Sequence, residues 1–316
     1  MTQAHRMVVI GGGTMGADVA IVFARGGWPV TVVEPGAARR ASLPAYWQAE
    51  LAQTGHAADA AAIGCVEGLD DVDWPAVAMV VDCAPEQLDI KRALFAALVD
   101  RAPDAAILSS NSSSFPISSI GAGLATRHRM ANLHFFMPAH RVPLVEVVSS
   151  AETAPETAET LMRTMRDLGR MPVQVRRDLP GFLANRMQHA LAREAFALID
   201  EGIATPEDVD AAVRFGFGFR YVAAGPALQR DHAGLDVHCA AAATMYPSLS
   251  AAHQPAHALA DRVAEGRLGM KAGAGFYEWP DGEAASERAR YHAALSEALG
   301  IIKADLPPIR RREGTA

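Results

Sequence analysis

Lysine is nearly missing from this chain. Lys91, Lys271 and Lys303 are its three lysines, and arginine supplies the rest of the 29 basic residues. Beside so much alanine, that pattern reads as a genome composition bias, so no arginine is taken as a phosphate ligand on frequency alone. Basic residues are outnumbered by 36 acidic ones, for a formal charge of −7, which argues against nucleic acid or an anionic membrane surface as a partner. Cysteine is scarce too. Cys65, Cys83 and Cys239 are odd in number and widely spaced, which excludes a disulfide framework and zinc-ligand spacing, implies no metal, and points to a reducing compartment. No apolar run reaches the length of a membrane span. A first strand near Met7 leaves no room before it for a signal peptide, so the expected location is cytoplasmic. What is abundant is apolar surface: half of the 316 residues are hydrophobic and 21% are charged, enough for two globular domains with a large core.

The strand-like run Met7-Val8-Val9-Ile10 leads directly into Gly11-Gly12-Gly13-Thr14-Met15-Gly16. Gly11 permits a tight turn, Gly13 leaves room for a pyrophosphate against the backbone, and Gly16 lets a following helix pack on the strand. The free N–H groups and positive dipole end of that helix would then face the phosphates, with Thr14 and Met15 in its first turn. A second apolar strand, Val30-Thr31-Val32-Val33, ends at Glu34, about twenty residues on, where a carboxylate accepts the hydroxyls of an adenosine ribose. The plainer alternative is a glycine turn of any αβ protein. Glu34 favours NAD over NADP because it repels a 2′-phosphate, while Arg39 and Arg40 keep NADP open.

From residue 7 to about 175, apolar strands alternate with helical patterns, the signature of a parallel sheet covered on both faces. Strands are expected near Cys65, at Met79–Asp82, Ala106–Ser109, Ala131–Phe136, Leu144–Val148 and Pro172–Val175. Helices are expected over roughly 38–62, Gln87–Val99 and Pro155–Leu168. The polar run Arg176–Gly181 is the junction. Beyond it the strand signals stop: helical patterns cover Phe182–Asp200, a start at Thr205-Pro206, and 225–243, 255–265 and 284–298. The tail from Pro307 to Ala316 is expected to fray. The fold class is therefore an α/β Rossmann-type doubly wound sheet followed by an all-α C-terminal domain. Residues 1–178 form the NAD-binding domain and 179–316 the helical substrate and dimerisation domain, with the cleft between them as the default ligand site.

His134 ends one apolar strand, and Glu146 lies within another. A carboxylate in such a strand needs a partner, and an imidazole held in one tautomer by it is a general base for alcohol oxidation. A purely structural His–Glu pair fits the spacing equally well. Ser113 lies in a polar loop at the carboxyl edge of the sheet, where ligands bind; the alternative is a helix cap for a turn near Pro116. Asn185 lies one turn into the first helix of the second domain, either reaching substrate or making an interdomain hydrogen bond.

Together with the glycine motif, Ser110-Asn111-Ser112-Ser113, His134-Phe135-Phe136-Met137-Pro138, Pro143-Leu144-Val145-Glu146-Val147 and Pro180-Gly181-Phe182-Leu183-Ala184-Asn185-Arg186 resemble the L-3-hydroxyacyl-CoA dehydrogenase family. Gly225-Pro226, Gly234-Leu235-Asp236 and Leu268 to Tyr277 extend the resemblance, which runs in order over about residues 7 to 280. It implies NAD as cofactor, His134 as base, Glu146 as its orienting carboxylate, and Ser113 and Asn185 on the reacting oxygen. It also implies contacts from Glu86 and Lys91 to the ribose and nicotinamide side of NAD, and a homodimer through the helical domain.

Two departures bear on substrate. Met137 stands where the family usually has Asn, which reshapes the pocket or merely fills space. In relatives that use acyl-CoA, the excursion after the ribose-binding acid is a long lysine-rich helical hairpin; here it is short, and residues 41–90 contain neither Lys nor Arg. The sequence reading places oxidation of an L-3-hydroxyacyl-CoA, as in fatty acid metabolism, narrowly first. A CoA-free 3-hydroxy acid of the gulonate, carnitine or hydroxybutyrate kind comes next, with Arg141 as partner of its free carboxylate or else a solvated loop residue. A non-catalytic NAD-binding protein comes last, since a lens crystallin belongs to this family.

Overall fold

A computed structural model describes residues 6–312. The chain forms two compact units: one runs to Ala184 and takes back the chain from Leu306, and the other is Asn185–Asp305.

The first unit is built on one eight-stranded sheet in the order β3-β2-β1-β4-β5-β6-β7-β8. Its strands are β1 (Arg6–Ile10), β2 (Val30–Val33), β3 (Ile63–Val66), β4 (Val77–Asp82), β5 (Ile107–Ser110), β6 (Met130–Phe135), β7 (Leu144–Val148) and β8 (Met171–Val175). The chain reverses between β1 and β4, the topological switch point at which Rossmann-type sheets bind ligands. Alternation along β1 shows why the sheet is covered twice. Met7 and Val9 join a core with α1 (Thr14–Arg25), α2 (Ala37–Gln53) and α5 (Pro155–Asp167). Val8 and Ile10 join a second core with α3 (Leu88–Arg101) and α4 (Ile117–Ile120). Burial on both faces is why the strands read as continuous apolar runs rather than alternating ones.

Two features depart from the sequence reading. All the pairings were expected to be parallel, yet β6 and β7 are antiparallel. The loop 136–143 between them is too short for a crossover, which needs a dozen residues or more. The tail from Pro307, expected to fray, is held through Arg312. Ile309 bridges Leu168, the Arg310 N–H donates to the Asp167 carbonyl at 2.7 Å and the Arg312 N–H to the Gly26 carbonyl at 3.1 Å. The Arg312 guanidinium also lies 3.7 Å over the Trp28 ring. Free helix-end carbonyls and an indole face give this arginine-rich segment partners that composition does not reveal.

The second unit is helical: α6 (Ala184–Asp200), α7 (Pro206–Ala211), α8 (Pro226–Ala233), α9 (Leu235–Met245), α10 (His257–Ala264) and α11 (Glu283–Ile302). The single stretch expected over 225–243 is two helices, broken at Gly234 with φ +95°, a conformation that favours glycine.

Close packing at the start of α1 gives a first test. A Cβ on Gly16 would lie 1.8 Å from the Gly11 carbonyl oxygen, so the helix cannot stay where it is. Gly16→Ala is expected to cost roughly 3 kcal/mol in unfolding free energy, read by chemical denaturation. A stability equal to wild type would show that α1 does not depend on this contact.

Candidate active site

In the antiparallel pair β6/β7, His134 lies directly opposite Glu146, so both side chains stand on the same face. Glu146 is completely buried and His134 is 5% exposed. Glu146 Oε2 lies 2.8 Å from His134 Nδ1. Its other oxygen accepts the N–H groups of Leu183 at 3.1 Å and Ala184 at 2.7 Å. The carboxylate therefore satisfies the opening of α6 and the imidazole together, which is how it tolerates burial. With Nδ1–H donated to Glu146, the neutral ring carries its lone pair on Nε2. Nε2 has no protein partner among the described residues.

The approach of the chain to Glu146 needs an unusual turn. Gly181 has φ +75° and Phe182 φ +47°, the latter in the left-handed region that non-glycine residues seldom occupy. Phe182 is buried, and its ring meets His134 edge-on at 5.5 Å, while Phe136 lies 4.6 Å away on another side. The strained turn thus delivers two N–H groups to the carboxylate and a ring to the imidazole.

Ser113 sits half-buried on the loop after β5. Both its neighbours are fixed by Glu86: the Ser112 hydroxyl donates to Oε1 at 2.6 Å and the Ser114 N–H at 3.1 Å. Ser112, not Ser113, accepts the Phe115 N–H, and Ser113 caps no helix; its hydroxyl has no partner among the described residues. Burial pushes the Glu86 carboxyl up, but the Ser112 hydroxyl, the Lys91 ammonium and the Ser114 N–H outweigh it and hold the group below the ordinary carboxylate range. Lys91 is 1% exposed. Its ammonium reaches Asp82 at 2.9 Å, the Ala84 carbonyl at 3.1 Å and Glu86 at 3.5 Å, so its donors are consumed within the protein.

Sequence reasoning missed three residues here. Asp82, fully buried, gathers Lys91, the Ser110 hydroxyl and the Ala84 N–H; the signal was a carboxylate closing an apolar strand. Asn111 accepts the Phe135 N–H at 2.8 Å, tying the serine loop to the end of the histidine strand. Asp18 accepts from the Tyr46 hydroxyl and from the Ala139 N–H at 3.0 Å, and faces His140 Nδ1 at 3.1 Å without hydrogen-bond alignment. Burial first, then Asp18, pushes the Tyr46 hydroxyl well above its usual range.

The glycine turn fits a dinucleotide. α1 has Gly13 at its N-cap, with no side-chain cap and no acidic residue in the first turn, so its leading N–H groups are available to an anion. Nothing lies within 4 Å of where a Gly13 Cβ would be, whereas Gly11 is packed on the Cys83 carbonyl. Glu34, at the end of β2, accepts the N–H groups of Gly12 and Gly36, both at 2.8 Å. Thr14 is exposed and Met15 half-buried beside the turn.

Three other candidates are placed differently. Met137 is 68% exposed. Arg141 is engaged by Glu50 at 3.0 Å and Gln53 at 3.3 Å, both from α2. Asn185 lies in the first turn of α6 and is half-buried; it belongs to the second unit.

Removing the Glu146 carboxylate would leave the Nδ1–H of His134 and two main-chain N–H groups buried and unpaired. Glu146→Ala is expected to cost roughly 3 kcal/mol, and Glu146→Gln less, because the amide oxygen still accepts from the helix start. Denaturant unfolding of both variants checks this; equal stability in all three proteins would show that the carboxylate organises nothing.

Comparison with known proteins gives the family. Residues 6–179 match the family described as 3-hydroxyacyl-CoA dehydrogenase, NAD binding domain, and residues 181–279 its C-terminal domain. The chain is 33% identical over 304 residues to a 5-formyl-3-hydroxy-2-methylpyridine 4-carboxylate 5-dehydrogenase of Mesorhizobium japonicum, covering 93% of this chain and 98% of that one. It is 34% identical over 288 residues to a 3-hydroxyadipyl-CoA dehydrogenase of Escherichia coli, covering 88% of this chain but spanning 60% of that protein. Among solved structures, a 5-formyl-3-hydroxy-2-methylpyridine 4-carboxylic acid 5-dehydrogenase, an NAD+-dependent dismutase, superposes with a TM-score of 0.86 at 28% identity, covering 94% of this chain and 98% of its own. The cofactor is NAD, and the chain belongs to the 3-hydroxyacyl-CoA dehydrogenase family.

Proposed function

We propose that this NAD-dependent dehydrogenase oxidises the CH–OH group of a small hydroxy compound that is not joined to coenzyme A, or runs the reverse reduction. The observation that carries the CoA-free reading is the segment between β2 and β3. It is the single helix α2 followed by one 3₁₀ turn, and residues 41–90 contain neither Lys nor Arg to meet CoA phosphates. Arg40 at the start of that helix is taken up by the Glu34 and Pro35 carbonyls and Glu67. A relative 33% identical over 93% of this chain is named for a pyridine carboxylate, which supports the same reading. Because the Arg141 guanidinium is already paired with Glu50 at 3.0 Å, the substrate carboxylate is not assigned to it. The second reading, an L-3-hydroxyacyl-CoA, is favoured by the family's name and by the E. coli relative.

In either case the chemistry is one hydride and one proton leaving a carbinol. NAD supplies the hydride acceptor when bound. His134 Nε2 takes the hydroxyl proton, and Glu146 holds the ring in the receptive tautomer and stabilises the imidazolium. Ser113 and Asn185 hold the reacting oxygen. Phe136 and Phe182 keep water from the imidazole. Gly11, Gly13, Thr14, Met15 and Gly16 form the pyrophosphate turn, and Glu34 takes the adenosine ribose. Glu86 keeps the serine loop in place beside the nicotinamide half, and Lys91 acts through Asp82 and Glu86 rather than on NAD directly.

His134→Ala is expected to lower turnover by roughly 10²–10⁴-fold while NADH still binds, followed by its fluorescence. The substrate class is read from NADH formation on free 3-hydroxybutyrate, carnitine, gulonate and a pyridine hydroxy acid beside 3-hydroxybutyryl-CoA. Turnover of the thioester alone would refute the CoA-free reading. NAD binding without turnover of any of these would favour a role like that of rabbit lambda-crystallin, 33% identical over 234 residues.

The helical unit supports a homodimer. No residue of α6, α7, α8, α9 or α11 is buried, and Leu191, Phe215, Phe219, Leu235 and Tyr246 are exposed. So much uncovered apolar surface asks for a second copy. Sedimentation is expected to give twice the 33.5 kDa chain mass; a monomer at micromolar concentration would refute it. The three thiols are unpaired, in keeping with a reducing, cytoplasmic setting.

A further inference from the structure

Arg39 lies in the first turn of α2, and its Nε–H donates to the Gly12 carbonyl at 2.7 Å. The N–H of the same Gly12 donates to Glu34 Oε2 at 2.8 Å. The glycine turn is therefore gripped at one residue by a carboxylate on one side and a guanidinium on the other. The cations beside the turn differ in what they have left to give. Arg40 spends both terminal nitrogens on two carbonyls and Glu67, and Lys91 is wholly enclosed by Asp82, Ala84 and Glu86. Arg39 is half-buried, and its two terminal nitrogens have no acceptor among the described residues. Anchoring through Nε at 2.7 Å holds the guanidinium at the turn and leaves its outer N–H groups to give, the arrangement that suits planar, bidentate recognition of an anion. The Tyr46 ring, 6.0 Å from the guanidinium carbon, backs the side chain from α2.

We propose that Arg39 is a cofactor ligand: its terminal N–H groups hold the adenosine-side phosphate of NAD, while Nε keeps the guanidinium on the glycine turn. The inference rests on the adenosine ribose lying at Glu34. The two sides of Gly12 then divide the work, the carboxylate taking ribose hydroxyls and the guanidinium taking phosphate charge. In a chain with so few free cations at this edge of the sheet, Arg39 supplies the charge that the α1 N-terminus alone provides only as partial dipole.

The test is a set of dissociation constants for NAD, ADP-ribose, adenosine and nicotinamide mononucleotide, by competition against NADH fluorescence, for wild type, Arg39→Gln, Arg39→Lys and Glu34→Ala. Arg39→Gln is expected to weaken NAD and ADP-ribose about tenfold and to change adenosine and nicotinamide mononucleotide by less than about twofold. Arg39→Lys, which keeps the charge but not the fork, should fall between. Thermal unfolding of the apo proteins shows whether each variant is folded, and an unfolded Gln variant leaves the Lys variant to decide. An equal loss for adenosine and ADP-ribose would overturn the phosphate role in favour of stacking on adenine or distortion of the turn. No loss in either Arg39 variant would also overturn it. If Glu34→Ala leaves adenosine and NAD binding unchanged, the ribose placement itself fails, and this proposal fails with it.

Discussion

The pairing of His134 with Glu146 across β6 and β7 is the constraint on which the rest of the site depends. A loop too short for a crossover forces the two strands antiparallel, and antiparallel register puts the imidazole and the carboxylate face to face at full burial. Such a carboxylate is tolerable only if every lone pair is used. The chain meets that demand by turning through Gly181 and Phe182 so that α6 begins on its second oxygen. The main chain at Leu183 and Ala184 is thus held by the charge it caps. A slip of one residue in β7 would send Glu146 to the opposite face and leave both the histidine and the helix start unpartnered.

The dinucleotide edge is tied to this pair through side-chain acceptors that bridge neighbouring strands and loops. Asn111 links the serine loop to the last residue of β6, Glu86 links that loop to the turn after β4, and Asp82 links β4 to β5 through Ser110. Each link is short and each acceptor is filled, so the carboxyl ends of β4, β5 and β6 form one hydrogen-bonded rim. Asp18 does the same on the other side of the sheet, joining α1, α2 and the loop after His134.

Much of the first unit was legible in the sequence because its central strands are buried on both faces. All eight appear at or near the apolar segments that predict them, such as Val30–Val33 and Leu144–Val148. The glycine turn and Glu34 were legible because their spacing is dictated by one strand, one turn and one helix. Strand direction at β6/β7 was not, since it depends on loop length and not on which residues are apolar. The fates of Arg141 and Lys91 were also hidden: a side chain's type does not say which carboxylate in another element will claim it. The break at Gly234 and the docking of the tail depend on tertiary neighbours in the same way.

The tail carries a consequence for how the chain comes apart. The polypeptide leaves the sheet-bearing unit at Ala184 and is fastened to it again through Ile309, Arg310 and Arg312. The helical unit is therefore a loop with both ends clamped to one body, and its unfolded form has fewer conformations available than a free-ended segment would. Clipping a few residues from the C-terminus would turn that closed loop into a dangling arm. The cost would fall on Asn185–Asp305, a stretch that lies wholly upstream of the residues removed.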